Sequence, residues 1–206
     1  MPDSPPRLFA VVPAAGHSRR MGRPKLLLPL HGRTVISWLL QALALPEIEA
    51  VAVIVRRDDV SLRDEVARLG GWAVPPDIDP PDMRASVEFG LRCLEERFTP
   101  ADDDGWLLVP ADHPVLDRGI VAELTAAWLS LRPKFLIPTY NGRRGHPLLA
   151  RWDTVSTVFA LPADQGLNRL LHNHAEDVVT VPVANSSVVI DLDVPEDYER
   201  LRRERS

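Results

Sequence analysis

The sequence predicts an α/β fold, with a mainly parallel sheet between two layers of helices in a three-layer α/β/α, Rossmann-like arrangement. Short apolar runs alternate along the chain with segments in which apolar residues recur at helical spacing. Several of the runs are apolar throughout, which is typical of strands that helices cover on both faces. Such alternation favours parallel strands joined by right-handed helical crossovers.

Composition limits the class of protein. A length of 206 residues, 45% of them apolar, suits a single domain over residues 1–206. The 24 basic and 29 acidic side chains give a formal net charge of −5, so we expect no nucleic-acid partner. We also expect no membrane association and a cytoplasmic location, because long apolar runs and a signal-peptide pattern are missing from the sequence.

The predicted strands are apolar or β-branched runs bounded mostly by proline, glycine or charged residues. The run 8–13 (LFAVVP) is apolar throughout, and 106–109 (WLLV) lies between a glycine and a proline. In chain order, the predicted strands are 8–13, 51–55, 72–74, 106–109, 135–138, 178–182 and 187–190.

The predicted helices lie between these strands. In 86–97 the apolar residues recur at helical spacing, and Cys93, the only cysteine, is predicted to be a buried thiol. The last helix is predicted to begin at Pro195, with Asp197 as a helix-start residue near the free N–H groups of the first turn. In chain order, the predicted helices are 35–44, 60–69, 86–97, 119–131, 166–173 and 195–203.

The first strand leads directly into a basic loop, 14–25, that contains two glycines. Such a loop exposes backbone N–H groups, its glycines let the backbone approach a ligand, and its cations oppose a polyanion. It is not a P-loop, because two residues separate Gly22 from Lys25, and Gly16 and Gly22 lack the spacing of the Rossmann fingerprint. The loop as a unit indicates a nucleoside triphosphate site, whereas its arginines taken singly are equally well explained as solvated surface residues.

Carboxylates follow two of the apolar runs. Asp112 comes after strand 106–109, and ligands of open parallel sheets bind beyond the carboxyl ends of the strands. A second carboxylate could come from Asp191 or Asp193, which strand alternation would place on the same side. Because Mg²⁺ takes one or two carboxylates together with substrate phosphates, we expect a magnesium site here. The acidic run 102–104 lies at the opposite end of its strand and is predicted to be a solvated turn.

The segment 14–30, AAGHSRRMGRPKLLLPL, resembles the signature L-A-A/G-G-x-S-x-R-M-G-x-x-K of the nucleotidyltransferases of the molybdenum-cofactor group, a MobA-like family. Proline stands at position 13, where the family usually has leucine. Similar segments extend the resemblance over nearly the whole chain: 82–91, 142–147, 164–171 and 191–197. The resemblance implies the nucleotidyltransferase form of the Rossmann-like fold.

The resemblance also implies roles for individual residues. Lys25 and Arg20 would be catalytic, and Asp112 and Asp193 would bind the metal. The nucleotide-binding residues would be Ala14, Ala15, Gly16, His17, Ser18, Lys25, Ser86 and Asp112. The turn that faces the second substrate, or acceptor, would contribute Arg144, Gly145, His146 and Pro147.

Two of these assignments have alternatives, and two further residues also bear on the site. Ser86 is equally well explained as the N-cap of its helix. Asp82 stands where the family has glycine, which puts the approach of the backbone in doubt. The acceptor turn could instead be an exposed basic hairpin tip. His113, beside Asp112, is expected to shape the site rather than to bind a hard cation.

The implied reaction is attack by a phosphate on the α-phosphorus of a nucleotide, with pyrophosphate leaving. The resemblance favours CTP, because cytidylyl-transferring members read L-A-A-G where this chain has Ala14, Ala15 and Gly16. The acceptor would be molybdopterin carrying molybdenum, and an acceptor molybdoenzyme would be a possible partner. The alternatives are transfer from GTP to the same cofactor, transfer to a sugar phosphate or alcohol phosphate, and a non-catalytic module that delivers the cofactor.

Overall fold

The computed structural model describes residues 5–162 and 164–204. Within these ranges, the strands are β1 Leu8–Pro13, β2 Pro29–Leu30, β3 Arg33–Thr34, β4 Ile48–Ile54, β5 Trp72–Val74, β6 Gly105–Leu108, β7 Phe135–Tyr140, β8 Arg143–Arg144, β9 Leu148–Arg151 and β10 Val178–Pro182. The α-helices are α1 Val35–Leu43, α2 Val60–Arg68, α3 Met83–Phe98, α4 Arg118–Leu131, α5 Val155–Phe159, α6 Leu167–Asn173 and α7 Pro195–Glu204.

The main sheet has the strand order β10-β7-β9-β6-β1-β4-β5, and β8 pairs with β7. β1 lies parallel to β4 and β6, and the pairs β4/β5 and β7/β10 are also parallel. β9 runs antiparallel to both of its neighbours, β6 and β7. The predicted mainly parallel sheet is therefore confirmed, with β9 antiparallel near its centre and the short β8 antiparallel to β7.

Both faces of the sheet are covered. Along β1, Leu8, Ala10 and Val12 belong to one apolar cluster, whereas Phe9 and Val11 belong to the other. The first cluster includes side chains of α1, α2, α4 and α7, and the second includes side chains of α3, α5 and α6. This alternation confirms the three-layer arrangement, because successive side chains of a strand point to opposite faces.

Side-chain caps define the starts of four helices. Thr34, Asp59, Asp82 and Asp117 each accept a hydrogen bond from the backbone N–H three residues later. These contacts satisfy N–H groups that have no partner inside a helix. Because Asp82 caps α3, the helix begins at Met83, and the N-cap interpretation of Ser86 is wrong.

The predicted elements differ from the observed ones in two ways. Residues 187–190 form no strand: Ser186–Val189 is a 3₁₀ helix, because the side chain of Asn185 accepts from the backbone N–H of Ser187 at 2.8 Å and bends the chain. The strands β2, β3, β8 and β9 and the helix α5 were not predicted either. β9 contains only four residues, and its position depends on pairing with distant strands.

Two predictions of burial are also corrected. Asp104 does not lie in a solvated turn: it is 4% exposed, and its carboxylate accepts from the backbone N–H and from the guanidinium of Arg7, both at 2.7 Å. This contact ties the start of β1 to the start of β6. Cys93 is half-buried rather than buried, and partial burial raises the pKa of its thiol.

Among the helices that the structure describes, none combines the length and the apolar character needed to cross a bilayer.

Candidate functional site

A cavity of about 470 Å³ opens at the carboxyl ends of β1 and β6. Its walls are the loop that follows β1, the first turn of α3 with the residues before it, and the segment after β6. Backbone hydrogen bonds hold this edge together: Ala14 N–H donates to Ile54 O at 2.9 Å, and Ala111 N–H donates to Pro13 O at 3.3 Å. The cavity therefore lies where the strand-end rule predicts ligand binding.

The loop after β1 folds into two 3₁₀ turns, Arg19–Met21 and Lys25–Leu27. Ser18 has a φ of 51°, and Gly22 ends the first turn with a φ of 68°, so the chain reverses twice within a few residues. A Cβ placed on Gly16 would meet no atom within 4 Å. The glycine is therefore not required by packing, and its backbone remains open toward the cavity.

Arg56, which follows β4, holds this loop from outside the cavity. Its Nη1 donates to the carbonyl oxygen of Gly16 at 3.2 Å, and its Nε donates to Asp58 Oδ1 at 3.0 Å. Only 16% of the side chain is exposed. In a trans peptide the N–H points opposite to the C=O, so this contact directs the N–H of His17 away from Arg56. Sequence reasoning missed Arg56, because a single arginine after a strand carries no motif.

The ammonium group of Lys25 lies between the two predicted metal ligands. Nζ donates to Asp112 Oδ2 at 2.9 Å, to Asp193 Oδ1 at 3.3 Å and to the carbonyl oxygen of Leu192 at 2.7 Å. The lysine side chain is 15% exposed, and each carboxylate is 28% exposed. The backbone N–H of Leu192 donates to Asp112 O at 2.8 Å, which joins the two carboxylate segments.

Arg20 adds a second cation to this group, with Nη2 at 3.0 Å from Asp193 Oδ2. Its side chain is 70% exposed and can therefore move toward a ligand. Asp191 is exposed and does not line the cavity, so of the two candidates Asp193 is the one that faces it.

Asp197 is confirmed as a helix-start residue. Its Oδ2 accepts from the backbone N–H groups of Asp193 and Val194, both at 3.1 Å. Burial raises its pKa, but these two donors and Arg200 outweigh burial and hold the pKa below its usual range. The carboxylate thereby fixes the backbone on which Asp193 is carried.

The predicted nucleotide-binding residues all line the same cavity. They are Ala14, Ala15, Gly16, His17, Ser18, Lys25, Ser86 and Asp112. Ser86 is buried, and its hydroxyl donates to Asp82 O at 3.1 Å. Sequence reasoning did not assign Pro80, Pro81 or Met83 to the site, although they also line the cavity. The prolines that precede α3 are the sequence feature that could have identified this wall of the cavity.

The predicted acceptor turn lies outside the lining of this cavity. Arg144 is exposed, and a Cβ on Gly145 would clash with the backbone oxygen of Val188. His146 N–H donates to the same Val188 oxygen at 2.8 Å, and Pro147 is buried. The turn is therefore not simply an exposed hairpin tip, because its glycine and histidine pack against the chain before Asp193.

Two histidines connect this turn with the cavity. The rings of His113 and His146 meet edge to face, with centroids 4.9 Å apart, and His113 directly follows Asp112. Burial lowers the pKa of His113, and burial followed by the neighbouring His113 lowers the pKa of His146 to about 4. Both imidazoles are therefore neutral at neutral pH, and within the described chain neither Nδ1 has a hydrogen-bond partner.

The residues that the structure describes contain no group of three or more His, Cys, Asp or Glu side chains arranged to hold a metal ion. Two carboxylates, Asp112 and Asp193, do converge. Such a pair suits a cation that completes its shell with water and substrate phosphate rather than with protein side chains.

Several known proteins are similar to this chain over most of its length. The purine catabolism protein PucB of Bacillus subtilis is 29% identical over 98% of both chains. The 2-C-methyl-D-erythritol 4-phosphate cytidylyltransferase of Aromatoleum aromaticum is 37% identical over 90% of this chain and 70% of its own. The molybdenum cofactor guanylyltransferase of Rhodobacter capsulatus is 30% identical over 94% of both chains.

Solved structures share the fold. Rv0371c from Mycobacterium tuberculosis aligns with a TM-score of 0.80 at 24% identity, over 96% of this chain and 98% of that one. A manganese complex of Rv0371c aligns with a TM-score of 0.77 at 23% identity, over 97% of this chain and 100% of that one. Residues 10–178 match the MobA-like NTP transferase domain, and the chain belongs to this family of nucleotidyltransferases.

Proposed function

We propose that this protein transfers CMP from CTP to the terminal phosphate of molybdenum-bearing molybdopterin and releases pyrophosphate. The observation that carries the proposal is the convergence of Lys25, Asp112 and Asp193 in one cavity beneath an open, glycine-bearing loop. A phosphate acceptor is already ionised at neutral pH, so the reaction needs no general base. Positioning and charge neutralisation are sufficient in phosphoryl transfer.

In the proposed reaction, an oxygen of the acceptor phosphate forms a bond to the α-phosphorus of the nucleotide. The bond from the α-phosphorus to the bridging oxygen breaks, and its electron pair leaves with pyrophosphate. Lys25 provides a point charge to the α-phosphate and to the leaving group, whereas Arg20 and the amides of 16–18 hold the β- and γ-phosphates. These groups stabilise charge where it develops in the transition state.

The residues present fit a divalent metal. The ammonium group of Lys25 already occupies a position that three oxygen atoms surround: two carboxylates and one carbonyl. Mg²⁺ prefers such oxygen ligands, and a homologous fold has been solved with manganese. Asp112 and Asp193 would hold the ion, which when bound supplies positive charge to the phosphate oxygens.

The choice of CTP rests on Ala15, which lines the cavity. A methyl group at this position would narrow the space beside a bound base and favour a pyrimidine over a purine. The relatives include a transferase of cytidylyl groups and a transferase of guanylyl groups. A direct comparison of pyrophosphate release from CTP and GTP, with Mg²⁺ and molybdopterin, tests the choice. We expect a clear preference for CTP, and a preference for GTP would contradict it.

A second candidate acceptor is an alcohol phosphate, which the cytidylyltransferase of Aromatoleum aromaticum favours by its sequence similarity. The same assay with 2-C-methyl-D-erythritol 4-phosphate in place of molybdopterin separates the two. If the protein instead only delivers the finished cofactor, without catalysis, a different result is expected. The protein would retain a pterin cofactor through purification and release no pyrophosphate with any nucleotide.

A further inference from the structure

Three oxygen atoms surround one point at the edge of the cavity. They are Asp112 Oδ2, Asp193 Oδ1 and the carbonyl oxygen of Leu192, at 2.9, 3.3 and 2.7 Å from Lys25 Nζ. We call these three atoms the cation seat. Carboxylate and carbonyl oxygens are the ligands of hard metal ions, and here an ammonium group occupies the position among them.

The charges of the side chains around the cation seat cancel. Lys25 and Arg20 contribute two positive charges, and Asp112 and Asp193 contribute two negative charges. With both cations in place, a divalent ion would enter a group whose charge is already neutral, and it would lie beside a like charge only a few ångströms away. Attraction by the carboxylates is therefore largely cancelled until a cation leaves.

We propose that Lys25 keeps the cation seat filled until a triphosphate draws its ammonium group away, so that nucleotide binding precedes or accompanies metal binding. This inference rests on the proposed function. Lysine carries a compact charge on a flexible four-carbon stem, so its Nζ can exchange carboxylates for phosphates without movement of the backbone. The backbone of Lys25 meanwhile stays tied to the loop, because its N–H donates to Ser18 Oγ at 3.3 Å.

The test is a titration of the nucleotide-free protein with Mn²⁺, in which the electron paramagnetic resonance signal of the free ion reports binding. Lys25→Met is expected to bind Mn²⁺ about tenfold more tightly than the unmodified protein, or more, because it removes the positively charged group that occupies the cation seat. Lys25→Arg keeps the charge and is expected to bind as weakly as the unmodified protein. In EDTA, which removes free metal ions, Lys25→Met is expected to bind CTP more weakly than the unmodified protein does. The substitution should thus raise the affinity for Mn²⁺ and lower the affinity for CTP.

Arg23→Met is the matched control. It removes one positive charge from the same loop, but the Arg23 guanidinium lies over the Tyr198 ring at 5.1 Å rather than on the carboxylates. Asp193→Asn combined with Lys25→Met is expected to lose the gain in affinity. Equal Mn²⁺ affinity in the unmodified protein and in a folded Lys25→Met variant would overturn the inference, as would an equal gain in Arg23→Met. Because the titration contains no nucleotide, its failure is distinguishable from a failure of CTP turnover.

Discussion

Lys25 and its two carboxylate partners are separated by 87 and 168 residues in the sequence, yet they meet within hydrogen-bond distance. From the residues alone, Lys25 ends a basic loop and Asp112 follows a buried strand, whereas Asp193 was implied by the family resemblance and was not separated from Asp191 by the residues themselves. The choice between Asp191 and Asp193 required the structure. The preceding segment is a 3₁₀ helix rather than a strand, so alternation does not apply to it.

Substitution of Lys25 measures its role in catalysis. We expect Lys25→Ala to lower kcat by about 100-fold or more, because it removes a cation from the reacting phosphates. The measurement is pyrophosphate release at saturating nucleotide and Mg²⁺. Arg23→Ala is the control and should retain turnover, because Arg23 contacts Tyr198 instead. Near-normal turnover in Lys25→Ala would exclude the assignment.

We expect the free energy of unfolding to depend on pH because of His146. Its pKa in the folded protein is about 4, against 6.5 in the unfolded chain, because burial disfavours the charged imidazole. Above pH 6.5 the imidazole is neutral in both states. Between pH 6.5 and 4 the unfolded chain binds a proton at this position and the folded chain largely does not. The free energy of unfolding therefore decreases as the pH is lowered, by at most about 3 kcal/mol.

Denaturant unfolding at pH 7.5 and at pH 5 measures this effect. The loss of stability between the two values should be smaller in His146→Gln than in the unmodified protein, because the variant has no proton to bind at this position. An identical loss in both proteins would show that His146 does not contribute to the pH dependence.

At the scale of elements, the loop after β1 depends on a neighbour that no motif identifies. Arg56 lies beyond the end of β4, and β4 lies beside β1 in the sheet, so the guanidinium reaches the carbonyl of Gly16. The sequence places the two residues 40 positions apart. Which strands are neighbours is a property of the assembled sheet, and this contact could not be predicted without it.

Arg56→Met therefore tests the loop as an element. We expect the KM for the nucleotide to rise about tenfold, since a hydrogen bond from a charged group is lost, whereas kcat should change less. Initial rates over a range of nucleotide concentrations measure both constants. Arg57→Met is the matched control, because Arg57 is 66% exposed and pairs with Asp77 away from the loop. Equal KM values in the two variants would contradict a positioning role for Arg56.

At the scale of the whole molecule, β6 and β1 are held at their starts by a contact that lies opposite the site. The carboxylate of Asp104 accepts from Arg7 and from the backbone N–H of Ala101 at 2.9 Å. β9 then continues the sheet antiparallel to β6. The acidic run lies at the end of β6 opposite the cavity, but the burial of its last residue depends on this long-range pairing.

Asp104→Asn is expected to lower the free energy of unfolding by about 2 kcal/mol, because the guanidinium of Arg7 loses its buried charged partner. Asp103→Asn is the control, since the Asp103 side chain is exposed, and should change stability by less than about 0.5 kcal/mol. Equal midpoints of denaturation for the two variants would refute this role of Asp104.

Residues near one another in the chain were sufficient to predict the α/β class, six of the helices and a glycine-bearing basic loop after the first strand. Apolar periodicity and strand-end signals are local, because they depend on which face a residue presents to the core. The antiparallel position of β9, the burial of Asp104, the contact of Arg56 with Gly16 and the choice of Asp193 over Asp191 were decided by folding. Each depends on which distant strands become neighbours, and that is set by the packing of the complete sheet.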